Sequence, residues 1–123
     1  MQISRWQTEL QQSIRDPVTL LERLELPAAE ISIASASLQT FPVRIPPHFL
    51  GNIRSRDPGD PLLKQVLPLV AEDQPQPGYS ADPLEELRQQ AAPGVLHKYH
   101  GRVLLITTAA CAIHCRYCFR RHF

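Results

Sequence analysis

The sequence of 123 residues has little of what would place a protein in a membrane, outside the cell or on a nucleic acid. Its formal net charge is +1, whereas a nucleic-acid surface is normally strongly basic. It has no run approaching the ~20 apolar residues that cross a bilayer, and no hydrophobic signal core follows its first residues. We therefore expect a cytoplasmic protein that has neither a nucleic acid nor a membrane as a partner.

Cysteine is also scarce, since three occur in all and they lie between positions 111 and 118. The odd number, the tight spacing and the lack of a secretory signal argue against disulfide bonds. Cys111, Cys115 and Cys118 instead follow an apolar run with the spacing C-x3-C-x2-C. Cysteine thiolates hold iron–sulfur clusters, and three local thiolates leave one iron of a four-iron cluster open to a non-protein ligand. The sequence therefore predicts an iron–sulfur loop with these three cysteines as metal ligands.

A zinc site is the main alternative for the three thiols. Structural zinc is tetrahedral and takes Cys and His ligands, so a histidine could complete the set. The available histidines are His97, His100, His114 and His122. Zinc modules usually split their ligands into two separated pairs, whereas these thiols are close together in sequence. The spacing therefore favours the iron–sulfur cluster.

Two helices are predicted at the start of the chain. Ser4 and Gln7 form a capping-box pattern that opens a helix over 4–14, and Asp16 followed by Pro17 is a typical start for a second helix. The apolar face of the first helix consists of Trp6, Leu10 and Ile14. The buried stripe of the second consists of Val18, Leu20, Leu21 and Leu24, before Pro27 ends it.

Twelve prolines, about twice the usual ~5 % share, predict short elements joined by turns in the rest of the first 92 residues. Asp60 with Pro61 starts a short helix whose apolar face is formed by the leucines and valine that follow. Asp82 with Pro83 predicts one more helix in the same way. The other expectations are a helix without clear period in 27–39, an extended segment 41–47, helical turns in 48–53 and an irregular linker 72–79.

A β-hairpin is predicted after residue 92. The strand-like runs 95–99 and 102–107 are separated by His100 and Gly101, which fits a two-residue hairpin turn. The second run is almost continuously apolar, as in strands buried on both faces of a parallel sheet. It leads directly into the cysteine loop. We therefore divide the chain into a helical, proline-rich region 1–92 and a second region 93–123.

With Tyr117 before the last thiol, the loop matches the pattern C-x3-C-x-aromatic-C and resembles the radical S-adenosylmethionine (SAM) enzymes. The resemblance implies a [4Fe-4S] cluster whose open iron binds SAM, and an electron donor such as flavodoxin or ferredoxin. It also implies an α/β fold in which 102–107 is the first strand of a radical-SAM (β/α) barrel. Such a barrel takes about 250 residues, so the resemblance implies an N-terminal fragment with an incomplete barrel.

Residues 93–107 and 111–123, with the Asp-Pro elements at Asp57 and Asp82, are similar to the lysine 2,3-aminomutase family. The similarity is greatest to a bacterial branch that makes (R)-β-lysine for modification of elongation factor P. This implies an isomerase that uses pyridoxal 5′-phosphate (PLP), takes L-lysine as substrate and acts before a β-lysyl ligase. The alternatives are an aminomutase for another amino acid and a non-catalytic metal-binding remnant.

The resemblance also assigns roles to individual residues. Arg120 matches the arginine that binds the carboxylate of lysine, and Lys98, Tyr99 and Arg102 match positions that hold the PLP phosphate. Lys98 stands where related aminomutases carry arginine, so it keeps the charge without the bidentate geometry. The lysine that forms the Schiff base lies beyond Phe123 in related proteins. We therefore expect the chain by itself to be inactive.

Overall fold

The computed structural model describes residues 4–80, 82–108 and 110–118. The contacts between them define two compact units. The first contains the described residues up to Gln74 together with Cys111–Cys118, and the second contains the described residues of 75–110. Across these ranges, every helix is too short or too polar to cross a bilayer.

The first unit is built from short helices. They are α1 (Arg5–Gln11), α2 (Pro17–Arg23), α3 (Ser35–Thr40), α4 (Pro47–Leu50), α5 (Pro61–Val66) and a 3-10 helix (Val70–Asp73). Two isolated antiparallel bridges, Ile14 with Ile45 and Ile33 with Leu69, connect segments between them. The buried core joins α2 and α5 to the segment before α4, through Leu20, Leu21, Leu24, Leu26, Val43, Ile45, Ile53, Leu63, Val66 and Leu67.

The predicted caps are confirmed at three helices. In α1, the Ser4 N–H donates to the Gln7 side chain at 2.9 Å, which forms half of the capping box. In α2, the Asp16 carboxylate accepts from the Thr19 N–H at 2.7 Å. In α5, the Asp60 carboxylate accepts from two N–H groups of the first turn. Each cap depends on residues at most three positions apart, which is why the sequence pattern is sufficient to predict it.

The apolar faces of the first two helices differ from the prediction. Helix α1 ends at Gln11, and Ile14 pairs its backbone with Ile45 instead of extending the helical face. Trp6 is 63 % exposed, so the predicted packing of α1 through this residue is wrong. In α2 the three leucines are buried as expected, but Val18 is exposed. Val18 lies on the other side of the first turn from the core, since its neighbours Pro17, Leu20 and Leu21 are the buried residues of α2.

The middle of the first unit follows the sequence expectations in part. The helix expected in 27–39 is the six-residue α3, and α4 occupies the first part of the segment expected to contain helical turns. Residues 41–46 are not helical, as their prolines predict. The linker predicted from residue 72 begins later, because Glu72 and Asp73 belong to the 3-10 helix.

Asp60 should make the stability of the first unit sensitive to acid. Its side chain is almost fully buried, which raises the pKa, but hydrogen bonds from the Leu63 N–H and from Arg54 outweigh this effect. The pKa falls from 3.8 to about 2. Because folding lowers this pKa, the stabilisation is complete above about pH 4 and is lost as the pH falls towards 2.

We therefore expect the melting temperature to fall between pH 5 and pH 2, and to fall less steeply in the Asp60→Asn variant. Differential scanning calorimetry across this range measures both slopes. Equal slopes in the two proteins would show that another group controls acid sensitivity.

The second unit contains a 3-10 helix (Leu87–Gln89) and three strands, β1 (Gln90–Ala92), β2 (Val95–Tyr99) and β3 (Arg102–Leu105). They form an antiparallel sheet in the order β1-β2-β3. The predicted hairpin is confirmed, with Gly101 in the left-handed region at φ 72°. Glycine has no Cβ to clash there, which explains its place in the turn.

One expectation for the second unit is wrong. The helix predicted after Asp82 is replaced by a turn, in which the Asp82 carboxylate accepts from the N–H groups of Glu86 and Leu87. Glu85 adopts a φ of 54°, which ends any regular helix at that point. Among the described residues β3 pairs antiparallel with β2 and is exposed along its length, and its expected place in a parallel barrel sheet stays a prediction.

Candidate iron–sulfur loop and hairpin cavity

The cysteine loop is attached to the first unit by main-chain hydrogen bonds. The His114 N–H donates to the Arg44 carbonyl at 3.1 Å, and the Arg116 N–H donates to the Gln65 carbonyl at 2.7 Å. Within the loop, the Cys118 N–H donates to the Cys115 carbonyl at 3.0 Å. The last two cysteines therefore lie at the two ends of a tight turn.

Side chains between the cysteines also point into the first unit. Ile113 packs against the core cluster. The ring of His114 stacks on Phe41 with 4.5 Å between centroids, and its Nδ1 lies 2.8 Å from the Pro42 carbonyl oxygen. Ile113 and His114 thus attach the loop to the rest of the first unit.

Arg116 makes the most extensive of these contacts and is only 7 % exposed. Its Nε donates to both carboxylate oxygens of Glu72, at 3.0 and 3.1 Å, and its Nη2 donates to one of them at 2.8 Å. Its Nη1 donates to the Phe41 carbonyl at 2.7 Å. A planar guanidinium matches a carboxylate in this bidentate way, which lysine cannot reproduce.

The neighbour of Glu72 ties the 3-10 helix to α3. The Asp73 carboxylate accepts from the N–H groups of Ala36 and Ser37 and from the Ser37 hydroxyl. The Ser37 hydroxyl hydrogen bond lowers the pKa of Asp73, and the positive charge of Arg116 lowers it further. Two adjacent carboxylates therefore connect α3 and the cysteine loop to the same short helix.

All three cysteines are half-buried thiols. Across 4–80, 82–108 and 110–118, no three Cys, His, Asp or Glu side chains gather around one metal position. In an iron–sulfur cluster each thiolate binds a different iron, so the three thiols need not surround one point as they would around a single ion. Three half-buried thiols in one anchored loop fit this donor set chemically, and the residues that would hold the cluster are Cys111, Cys115 and Cys118.

The three residues predicted to hold a phosphate lie together in the second unit. Lys98, Tyr99 and Arg102 line a cavity of about 310 Å³ with Leu84, Glu86, Gln89, Leu96, Val103 and Leu104. The Lys98 Nζ donates to the Leu84 carbonyl at 2.6 Å and lies 6.0 Å from the centroid of the Tyr99 ring. An ammonium, a phenol and a guanidinium can all donate to phosphate oxygens. Glu86 is an acidic residue in the same lining.

Arg120, predicted to bind a substrate carboxylate, lies outside the described residues. The pair of Arg116 and Glu72 was missed by the sequence analysis. The two residues are 44 positions apart, and Glu72 falls in the segment predicted to be a linker. The one sequence feature that could have drawn attention to Arg116 is its position between two predicted ligands, Cys115 and Cys118.

No protein-family model matches the chain. The curated proteins similar to it are nevertheless aminomutases by name. It is 45 % identical over 119 residues to "L-lysine 2,3-aminomutase" of Escherichia coli (strain K12), which is 96 % of this chain and 34 % of that protein. It is 42 % identical over 118 residues to the protein of the same name from Haemophilus influenzae, covering 96 % of the chain and 35 % of that relative.

A more distant protein of the same name, from Clostridium subterminale, is 31 % identical over 118 residues, which are 96 % of this chain and 28 % of that protein. The chain thus spans about a third of the length of the curated relatives it matches. The similarity includes nearly every residue of the chain, whereas most of each relative has no counterpart in it.

Proposed function

We propose that the complete gene product is a radical-SAM lysine 2,3-aminomutase and that these 123 residues supply its iron–sulfur loop. The observation that carries the proposal is the three-cysteine loop, in a chain 45 % identical over 96 % of its length to a protein named L-lysine 2,3-aminomutase. The attachment of the loop to the helical unit supports it, because cluster ligands need a fixed backbone.

The residues of this chain have separate roles in the proposal. Cys111, Cys115 and Cys118 hold the cluster and leave one iron for SAM. Lys98, Tyr99 and Arg102 hold the phosphate of PLP, supported by their common cavity of about 310 Å³. Arg120 binds the carboxylate of L-lysine. When bound, the cluster with SAM supplies radical chemistry for hydrogen abstraction, and PLP carries the migrating amino group.

We further propose that the product is (R)-β-lysine, which a downstream ligase attaches to elongation factor P in the cytoplasm. Flavodoxin or ferredoxin would reduce the cluster. In the complete gene product, β3 would be the first strand of a radical-SAM barrel, supported by the order along the sequence, in which the cysteine loop follows β3. Active sites of such barrels lie at the carboxyl ends of their strands. The boundary between residues 92 and 93 belongs to this proposal.

The test is anaerobic reconstitution of the complete gene product with iron, sulfide, PLP and SAM, followed by incubation with L-lysine and a reductant. We expect chiral chromatography to detect (R)-β-lysine, and its formation to require SAM. Glutamate and other amino acids are assayed in parallel. Reaction of another amino acid without β-lysine would contradict the proposed substrate, and purification of a zinc protein without sulfide would contradict the whole proposal.

A further inference from the structure

Buried Arg116 attaches the turn that carries two of the thiols to the first unit, through both its own main chain and its own side chain. Arg116 lies between Cys115 and Cys118, and its N–H donates to the Gln65 carbonyl at 2.7 Å. Its guanidinium simultaneously donates to the Glu72 carboxylate at 2.8 to 3.1 Å. Rotation of the turn about its own axis would break one of these two attachments.

A third attachment comes from another direction. The Arg116 Nη1 donates to the Phe41 carbonyl at 2.7 Å, and the guanidinium carbon lies 5.5 Å from the centroid of the Phe41 ring. The partners of Arg116 therefore belong to three separate segments, which are α5, the 3-10 helix and the segment that follows α3. Three attachments to a packed unit determine the position and the orientation of a turn.

The Arg116 side chain of this ion pair is buried and that of Glu72 is 20 % exposed, so the pair needs an explanation other than stability. Taking both charges out of water costs free energy, and replacing a buried pair by apolar side chains often leaves stability unchanged. Such pairs are best known for specifying one conformation among several. At metal sites, residues that orient the ligands typically change metal affinity about 10–100-fold when they are replaced.

We propose that Arg116 is a positioning residue for the iron–sulfur loop. Paired with Glu72, it holds the turn 115–118 in the geometry in which two of the thiolates bind the cluster. This inference rests on the proposed function, since it requires the loop to bind an iron–sulfur cluster. It adds a residue that is not itself a cluster ligand but determines how firmly the cluster is held.

The test compares cluster retention with folding stability in the complete gene product. The variants are Glu72→Gln, which breaks the pair, and the double variant Glu72→Leu with Arg116→Met, which replaces it by apolar side chains. After anaerobic reconstitution, iron and sulfide release into excess chelator is followed by visible absorbance and by the electron paramagnetic resonance of the reduced cluster. We expect release about tenfold faster in both variants, within the usual range for residues that orient metal ligands. We expect the double variant to unfold at the same temperature as the wild type.

Asp60→Asn is the matched control. Asp60 is a buried carboxylate that also pairs with an arginine, but that arginine, Arg54, is exposed, and the other partners of Asp60 are Leu62 and Leu63 instead of the loop. If Asp60→Asn lowers the melting temperature as much as Glu72→Gln does without accelerating release, the proposal is supported. The proposal would be overturned if Asp60→Asn and Glu72→Gln released iron and sulfide at the same rate at equal stability. It would also be overturned if the double variant retained its cluster as long as the wild type does. A wild-type protein that binds no iron and sulfide would instead contradict the proposed function itself.

Discussion

Replacing Cys115 by serine is expected to reduce the iron and sulfide bound after reconstitution to background and to abolish aminomutase activity. A serine hydroxyl is not ionised at neutral pH, so one iron of the cluster would lose its ligand. These 123 residues contain no fourth cysteine that could replace Cys115. The effect should exceed that of any residue that only orients a ligand, which is about 10–100-fold.

The measurement is iron and sulfide analysis after gel filtration, with Cys111→Ser and Cys118→Ser treated in parallel. Ala112→Ser is the control, because Ala112 is an exposed residue of the same loop and the change adds the same hydroxyl group. We expect Ala112→Ser to bind as much iron as the wild type. Full iron and sulfide in any of the three cysteine variants would remove that residue from the ligand set.

The elements predicted correctly from the sequence are those determined by near neighbours. Asp16 caps α2 through Thr19, and Gly101 supplies the left-handed turn between β2 and β3. In each case the residues that make the contact lie within a few positions of one another, so their order along the chain contains the information. The three cysteines also lie within eight consecutive positions, so their spacing can be read from the sequence, but their role as cluster ligands stays a prediction.

The features that the sequence did not predict depend on distant partners. Trp6 has the periodicity of a core residue, but α1 ends before Ile14, which pairs with Ile45 instead. Arg116 could not be assigned a role from the sequence, because its partner Glu72 lies 44 positions away, in a 3-10 helix. A local sequence pattern does not indicate which distant segments come into contact. The position of the cysteine loop depends on such contacts, as the pair of Arg116 and Glu72 shows.

Leu20→Ala is expected to produce the largest loss of stability in the first unit. Leu20 is completely buried in α2, and it belongs to the same core cluster as Val43 and Ile45. Truncating a buried leucine removes apolar contacts and leaves a cavity that its neighbours fill incompletely, which costs about 2–5 kcal/mol. Val18→Ala is the control, because Val18 lies in the same helix and is exposed. Its truncation should cost about 0.5 kcal/mol or less.

Hydrogen exchange under increasing urea, read by mass spectrometry on peptides from α2 and α5, measures the free energy of opening for each variant. The change also bears on the cysteine loop, since Val43 and Ile45 alternate with Pro42 and Arg44, whose carbonyls contact His114. Loosening this core should therefore increase exchange in the peptide that contains the loop as well. Equal destabilisation by Leu20→Ala and Val18→Ala would show that α2 does not pack as described. If hydrogen exchange in the loop peptide is the same in Leu20→Ala as in the wild type, the attachment of the loop does not depend on this core.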